Sequence, residues 1–291
     1  MKVIRFEQNP IIRAGMDERM GENINGPSLI RVPDWLENPL GKYYLYFGHH
    51  GGKYVRLAYA DRLEGSWKIH SPGVLDLEDA FAEHHIASPD VHVDNERREF
   101  RMYYHGPTGN TQKTRVAISK DGRHFIARPE ILGGPYFRVF QWDGWYYAMS
   151  MPGIFYRSKD GLTGFEQGPT PFSEIIKPPR RMRHFAFKLD GGTLSIFYSC
   201  IGDTPERILM SAIQLKPDWN DWTPSPEVEV IAPEMEYEGA DCPLETSRMG
   251  WAPERIRQLR DPGIFLEDGK TYLLYAVAGE HGIGVCELTT D

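Results

Sequence analysis

A short motif that recurs along the chain limits the fold more than any other feature of the sequence. Ser-Lys-Asp-Gly followed by an aromatic residue stands at 119–125 and again at 158–165, and a weaker copy occupies 57–67. A strand that ends in a polar turn and restarts on an aromatic residue is typical of a β-hairpin, because Gly adopts positive φ and the Asp side chain caps the turn. Its return along the chain predicts a repeat architecture.

Composition narrows the class further. The 291 residues are 41% hydrophobic and 12% aromatic, with 29 Gly and 22 Pro, which favours a turn-rich all-β protein. A formal charge of -8 argues against a general nucleic-acid binder. Three unclustered cysteines predict neither a disulfide framework nor a thiolate zinc site, so we expect a reducing, cytoplasmic location. No segment has the length and hydrophobicity of a membrane span, so no membrane association is expected.

Five units with the same strand pattern follow one another. The first strands of the units begin at Gly26, Ser88, Tyr136, Arg183 and Asp261. Each unit continues into an aromatic second strand and a third strand, and the first four units also have a fourth. The sequence therefore predicts an all-β, five-bladed β-propeller with four antiparallel strands per blade, as a single domain over residues 1–291. We expect the N-terminal strand at 3–6 to pair with 284–287 and to close the ring, and we expect loops or short helices in the insertions at 76–86 and 233–259.

The spacing of these segments resembles that of glycoside hydrolase family 43. The resemblance is carried by Asp-Pro at 261–262, Asp-Gly at 268–269 and Tyr-Leu-Leu-Tyr at 272–275, together with similar segments at 43–46, 134–136 and 145–147. It implies a five-bladed propeller glycosidase. It also implies three carboxylates, one at the opening of each of the first three blades, and this sequence has Gly26, Ser88 and Gly133 at those places.

One end of the predicted propeller collects most of the histidines. The starts of first strands and the ends of second strands lie at the same end of an antiparallel sheet. Those segments contain seven of the ten histidines, namely His49, His50, His84, His85, His105, His184 and His281. Because the aromatic strands and glycine turns already specify the fold, this concentration predicts that the protein acts at that end.

The leading functional hypothesis is an exo-acting glycoside hydrolase with a pocket at the channel mouth, lined by His, Arg and Asp and suited to an acidic or modified sugar. The candidate catalytic residues are Asp90, Asp261, Glu254 and His85. The candidate substrate-binding residues are Asn25, His50, His105, Arg138, Arg183, His184, Arg260 and His281. Asp90 and Asp261 are expected to lie within reach of a single sugar ring, as a carboxylate pair for glycoside hydrolysis.

Two other classes stay open on the sequence. The first is a metal-dependent hydrolase or lyase, with a divalent cation in the central channel as its only predicted cofactor. Its candidate ligands are His50, His85, His105, His184 and His281. The second is a non-catalytic sugar-binding propeller, favoured by the three absent carboxylates. Each class predicts a small-molecule or oligosaccharide partner.

Overall fold

The computed structural model describes residues 1–289, which form five antiparallel sheets arranged as the blades of a propeller. From the inside outwards, the first blade contains β3 (Asn25–Arg31), β4 (Tyr43–Gly48), β5 (Tyr54–Ala60) and β6 (Lys68–Ile69), and the second contains β8 (Ala87–Asp94), β9 (Glu99–Thr108), β10 (Thr111–Ser119) and β11 (Ile126–Ala127). The third blade contains β12 (Arg138–Trp142), β13 (Trp145–Ser150), β14 (Ile154–Ser158) and β15 (Glu166–Gln167). The fourth contains β16 (Arg181–Asp190), β17 (Thr193–Ile201), β18 (Ile208–Gln214) and β19 (Val228–Ile231). The predicted all-β propeller is confirmed.

The fifth blade joins the two ends of the chain. It is built from β20 (Arg260–Glu267), β21 (Lys270–Ala276), β22 (Gly282–Thr289) and, outermost, β1 (Lys2–Arg5). β1 pairs antiparallel with β22, with Val3 opposite Leu288 and Arg5 opposite Cys286. Two short strands lie beside the blades, since β2 (Ile12–Arg13) pairs with β22 and β7 (Leu75–Asp76) pairs with β5. The N-terminal strand thus supplies the fourth strand that the fifth unit lacks.

The aromatic second strands are buried on both faces because each blade is covered by a neighbour on either side. In β4 the run Tyr43 to Phe47 is buried throughout. Alternate residues point to opposite faces of a strand, so Tyr43, Leu45 and Phe47 pack toward the fifth blade while Tyr44 and Tyr46 pack toward the second. Five such hydrophobic clusters separate the adjacent blades and form the core.

The repeated Ser-Lys-Asp-Gly turns have a structural role. Asp121 Oδ1 accepts the backbone N–H groups of Arg123 and His124 at 2.8 and 2.9 Å, and Asp160 Oδ1 accepts those of Leu162 and Thr163, both at 2.8 Å. These bonds hold the pKa of Asp160 at about 2, against the opposing effect of burial, so the capping carboxylate is ionised. The same hydrogen-bonded turn therefore joins the third and fourth strands of two blades.

A β-bulge at the start of the inner strands shapes the channel mouth. The pairing slips between Asn25 and Ser28 in β3, and the same irregularity recurs in β8, β16 and β20. At the mouth, Gly26, Ser88, Tyr136 and Asp261 all have φ between 49° and 65°. A bulge bends its strand and redirects a side chain, so these positions are turned out of the regular pleat at one end of the channel.

The two long insertions contain short 3₁₀ helices, at Leu77–Asp79 and Glu236–Glu238. Two others lie at Pro171–Glu174 and Trp219–Asp221. No helix in residues 1–289 is long and apolar enough to cross a lipid bilayer.

Candidate functional site

The mouth of the channel, at the bulged end, narrows to a polar crevice that all five blades line. We call it the histidine crevice. Its walls are Asn25, His50, His85, Ala87, Ser88, His105, Gln112, Tyr136, His184, Asp261 and Glu280. Four of the seven histidines predicted at this end of the propeller therefore meet in one place. Of the other three, His84 is exposed, His49 lies beside Trp251, and His281 turns its Nδ1 to the carbonyl of Ala278 at 3.0 Å.

Asp261 and His184 form a buried carboxylate–imidazole pair in the crevice. They come from the bulges of β20 and β16, and His184 Nδ1 lies against Asp261 Oδ1. Burial lowers the pKa of His184 below its ordinary value although the Asp261 charge acts in the opposite direction. The imidazole is therefore neutral near pH 7, its Nδ1 is directed at the carboxylate, and the residue lines the crevice.

Glu280 and His50 form a second pair of the same kind. Glu280 Oε2 lies 3.6 Å from His50 Nδ1 and accepts a hydrogen bond from Asn23 Nδ2 at 2.7 Å, while Oε1 accepts one from Arg260 at 2.9 Å. Burial alone would raise the pKa of Glu280, but the neighbouring His50, Arg260 and Asn23 outweigh it and lower the value to about 2. The Glu280 carboxylate is thus ionised throughout the physiological range.

His105 and His85 complete the set of imidazoles, and Tyr136 packs between two of them. The Tyr136 ring centroid lies 4.0 Å from that of His105 and 4.4 Å from that of His184. Burial and the nearby histidines lower the pKa of His105 well below its ordinary value, and burial also lowers that of His85. His85, His105 and His184 therefore present uncharged imidazoles next to the two carboxylates.

The crevice contains buried polar atoms that the protein itself does not satisfy. His105 Nδ1, Gln112 Oε1 and Asp261 Oδ2 have no hydrogen-bond partner among residues 1–289. His184 Nδ1 has none either beyond its close contact with Asp261. His105 and Asp261 are only 1% and 2% exposed. Because buried polar groups are normally paired, atoms left without partners at one spot indicate a site that is completed by water or by a ligand.

The crevice is narrow. Its volume of about 10 Å³ is close to the minimum that a single water molecule requires. Its floor can thus receive one water between the imidazoles and Asp261, whereas anything the size of a sugar ring must sit above it, at the mouth.

Asp90 does not join Asp261 in this crevice, and the expectation that one pocket exposes both carboxylates is wrong. Asp90 lines a separate cavity further along the channel. Its Oδ2 accepts hydrogen bonds from His92 Nε2 and from the backbone N–H of Val139 in the next blade, both at 2.8 Å. Ser28, the equivalent residue of the first blade, accepts the N–H of Val91 in the same way. Asp90 therefore links two blades, because its carboxylate turns to a neighbouring N–H.

The three arginines expected to bind substrate are engaged by groups of the protein itself. Arg138 donates to the carbonyls of Ser88 and Pro89, on the side of Asp90. Arg183 and Arg260 are buried beneath the channel mouth, where both pair with Glu206. Among the described residues no lysine or arginine lines the crevice. A buried guanidinium must satisfy its donors, and here the partners are carbonyls and carboxylates of the fold.

The proposed metal ligands do not form a ligand set. Within residues 1–289 no group of three or more His, Cys, Asp or Glu side chains is arranged to hold a metal ion. His281 bonds to its own turn, and two of the other histidines are paired with carboxylates. Glu254, the third predicted catalytic carboxylate, is exposed in the insertion before β20 and does not line the crevice.

Glu280, Tyr136 and Gln112 line the crevice but were not among the residues selected from the sequence. Glu280 follows β21 at a second-strand end, and Tyr136 stands at a first-strand start, so the same rule of position covers both. Gln112 belongs to β10, whose hairpin with β9 extends up to Thr108 and Thr111. Only the length of that hairpin, which the sequence does not reveal, brings a third-strand residue to the site.

Sequence comparison identifies a viral relative that spans most of the chain. No protein-family model matches the sequence. The chain is 36% identical over 320 residues to "Uncharacterized protein R118" of Acanthamoeba polyphaga mimivirus, across 98% of this chain and 90% of that protein.

Solved structures give more distant matches. CoXyl43, a GH43 β-xylosidase/α-arabinofuranosidase from a compost microbial metagenome solved with xylotriose, aligns with a TM-score of 0.67 at 15% identity, over 100% of this chain and 96% of that one. The GH43_1 enzyme of Xanthomonas citri complexed with xylotriose aligns with a TM-score of 0.62 at 13% identity, over 97% and 91%. The fold is thus that of the five-bladed propellers of glycoside hydrolase family 43.

Proposed function

We propose that this chain, which belongs to the same family as the uncharacterized mimivirus protein R118, is a carbohydrate-active enzyme that hydrolyses a glycosidic bond at the histidine crevice. The observation that carries the proposal is the set of buried, unpartnered polar atoms on His105, Gln112 and Asp261. They lie at the channel mouth of a fold whose solved examples include two family-43 enzymes crystallised with xylotriose. Polar groups that converge without partners in a concave site mark a ligand position.

The base in this reaction is His184. The neutral ring donates its Nδ1–H to Asp261, so Nε2 carries a lone pair toward the crevice. A water on the crevice floor gives its proton to Nε2 while its oxygen bonds to the anomeric carbon of a sugar at the mouth. Asp261 keeps the imidazole in the reactive tautomer and stabilises the imidazolium that forms, as the carboxylate does in a Ser-His-Asp triad.

The acid is His50, on the opposite carboxylate–imidazole pair. The Glu280 carboxylate lies 3.6 Å from its Nδ1, and Asn23 Oδ1 accepts its backbone N–H at 2.8 Å. His50 is half-buried, so its ring reaches both the crevice and the mouth. As the bond between the anomeric carbon and the leaving oxygen breaks, the protonated His50 gives its proton to that oxygen. Water has then been added across the bond, and the two histidines exchange protons with solvent to restart the cycle.

The substrate that fits is an uncharged sugar at the end of a chain. An acidic substituent would need a cationic partner, and none of the described side chains that line the crevice is a lysine or an arginine. The Asp261 carboxylate, paired only with a neutral imidazole, suits the positive charge that develops on the sugar ring in the transition state. Because the channel narrows below the mouth, a terminal sugar enters most readily, and this supports the exo mode.

A sugar-binding propeller without catalysis is the second candidate. The bulges of the first two blades have Gly26 and Ser88 where the fifth blade has Asp261. Asp261 is thus the acidic residue among these three bulge positions, and the lack of a carboxylate at the other two favours binding without catalysis. A binding protein has affinity for the sugar but does not turn it over, whereas an enzyme does both.

The test is a screen of aryl glycosides and short oligosaccharides, including xylotriose, with wild-type protein and two histidine variants. His184→Ala should lower kcat/KM by roughly 10² to 10⁴, the usual contribution of a general base. His124→Ala is the matched control, since that side chain is 80% exposed and pairs with Asp121 in a surface turn. Saturable sugar binding without turnover in the wild type would establish the second candidate, and full activity in His184→Ala would remove this residue from the mechanism.

A further inference from the structure

An exposed tryptophan stands beside the histidine crevice. Trp251 lies in the insertion between β19 and β20 and is 52% exposed. Its ring centroid is 6.5 Å from that of His49, with the two planes 32° apart. His49 directly precedes His50, which lines the crevice. A large, flat apolar surface is thus presented to solvent next to the polar site.

Two buried arginines that were expected to bind substrate instead donate hydrogen bonds to the loop that carries Trp251. Arg183 donates to the carbonyls of Arg248 and Gly250, the second at 3.2 Å, and Arg260 also donates to that of Gly250, at 3.4 Å. Glu206, fully buried, lies 3.5 Å from Arg183 and 3.1 Å from Arg260. Two guanidiniums and one carboxylate therefore fix the backbone just before Trp251.

The same network continues into the residues that precede the tryptophan. Ser247 donates its hydroxyl to Glu206 and its backbone N–H to the carbonyl of Asp203 at 2.9 Å, and its own carbonyl accepts the N–H of Gly202 at 3.1 Å. Burying charged groups is costly unless they are fully paired. Here the charged groups position a loop whose aromatic side chain, that of Trp251, is about half exposed to solvent.

We propose that Trp251 is a stacking platform for a second sugar ring, the one joined to the ring that reacts at the crevice, and that Arg183 and Arg260 are positioning residues for it. This rests on the proposed function. Sugar rings have an apolar face of C–H groups beside their hydroxyls, and an exposed indole gives such a face a large, rigid surface at little cost in conformational entropy. The crevice recognises the terminal sugar ring through hydrogen bonds, and Trp251 recognises the adjoining sugar ring through a large apolar contact area. The protein would accordingly prefer oligosaccharides to the corresponding monosaccharides.

The experiment compares wild type, Trp251→Ala and Leu244→Ala on one array of immobilised monosaccharides and oligosaccharides, xylose and xylotriose among them, with affinities measured at low temperature. Leu244 is the matched control because it is 58% exposed in the same insertion. Trp251→Ala should reduce oligosaccharide affinity about tenfold and monosaccharide affinity much less, as expected for the loss of one aromatic stacking contact. Trp251→Phe should recover most of the preference, and Leu244→Ala should keep all of it.

Arg183→Gln tests the positioning role through the ratio of oligosaccharide to monosaccharide affinity, which a general loss of stability would not change. That ratio should fall as it does for Trp251→Ala. An unchanged ratio in Trp251→Ala, with His184→Ala inactive, would overturn the platform and leave the proposed function intact. A wild-type protein that binds no sugar at all would overturn both. A dimer in solution that becomes monomeric in Trp251→Ala would show instead that the surface is a protein interface, and it would also overturn the platform.

Discussion

The central channel contains two aspartates that each touch a histidine, yet the two pairs have different surroundings. At the mouth, His184 and Asp261 are almost fully buried, and Asp261 Oδ2 has no hydrogen-bond partner among residues 1–289. Further along the channel, Asp90 bonds to His92 and also to the N–H of Val139, and the His92 side chain is 40% exposed. The first pair is incomplete, whereas the second is satisfied.

This contrast shows that residue type does not decide which pair can act. Both aspartates follow or occupy a β-bulge of an inner strand, two residues apart in register. Asp261 stands in the bulge itself, with φ of 49°, and is turned to the mouth. Asp90 stands where regular pairing resumes, within reach of the next blade. A fully satisfied carboxylate stabilises the fold, whereas an unsatisfied one has hydrogen-bonding capacity to spare for a ligand.

The largest effect should come from neutralising each aspartate and measuring turnover. Asp261→Asn is expected to lower kcat/KM by roughly 10² to 10⁴, because the amide no longer holds His184 in the reactive tautomer. Asp90→Asn should change kcat/KM by only a few fold. Equal losses in the two variants would mean that the two aspartate–histidine pairs are not functionally distinct.

Thermal unfolding of the same two positions should give the opposite order. Asp90→Ala removes the acceptor of the Val139 N–H between two blades, and we expect a loss of about 1–3 kcal/mol for the buried donor left without a partner. Asp261→Asn removes a buried charge that is incompletely paired, so the melting temperature should stay the same or rise. A strongly destabilised Asp261→Asn would show that its carboxylate, like that of Asp90, supports the fold.

A smaller effect is expected in the pH dependence of stability. Burial lowers the pKa values of His85, His105 and His184 in the folded protein, so the unfolded chain binds protons first as the pH falls. Stability should therefore decrease below about pH 6.5, the ordinary value for histidine, with a slope of up to about 1.4 kcal/mol per pH unit for each histidine involved. Chemical denaturation between pH 7.5 and 5 measures the slope.

Two variants test the origin of this slope, one at the channel mouth and one far from it. His105→Gln removes one buried imidazole and should flatten the curve, whereas His124→Ala should leave it unchanged because the side chain is exposed. Identical slopes in wild type and His105→Gln would indicate that the pKa of His105 is the same in the folded and unfolded states. Glu280 adds a second decline between about pH 4.5 and 2, since its pKa in the folded protein is about 2.

The architecture could be predicted from the sequence because its signals are local. Strand alternation, aromatic second strands and the Ser-Lys-Asp-Gly turns each depend on neighbouring residues, and they predicted five blades whose first strands begin within two residues of the observed ones. The first-strand starts chosen at Gly26, Ser88 and Asp261 coincide with the bulges. Antiparallel pairing then also indicated the end of the channel at which four histidines meet.

Only the tertiary structure decided which of the polar residues at that end act together. The partners of each charged group come from distant parts of the chain, as in His184 with Asp261, Arg183 with the carbonyl of Arg248, and Arg5 with Glu238. A buried charge takes whichever partner the assembled blades bring within about 3 Å, and the sequence does not contain that distance. A register predicted to within one position does not show which inner-strand side chains face the crevice and which link two blades.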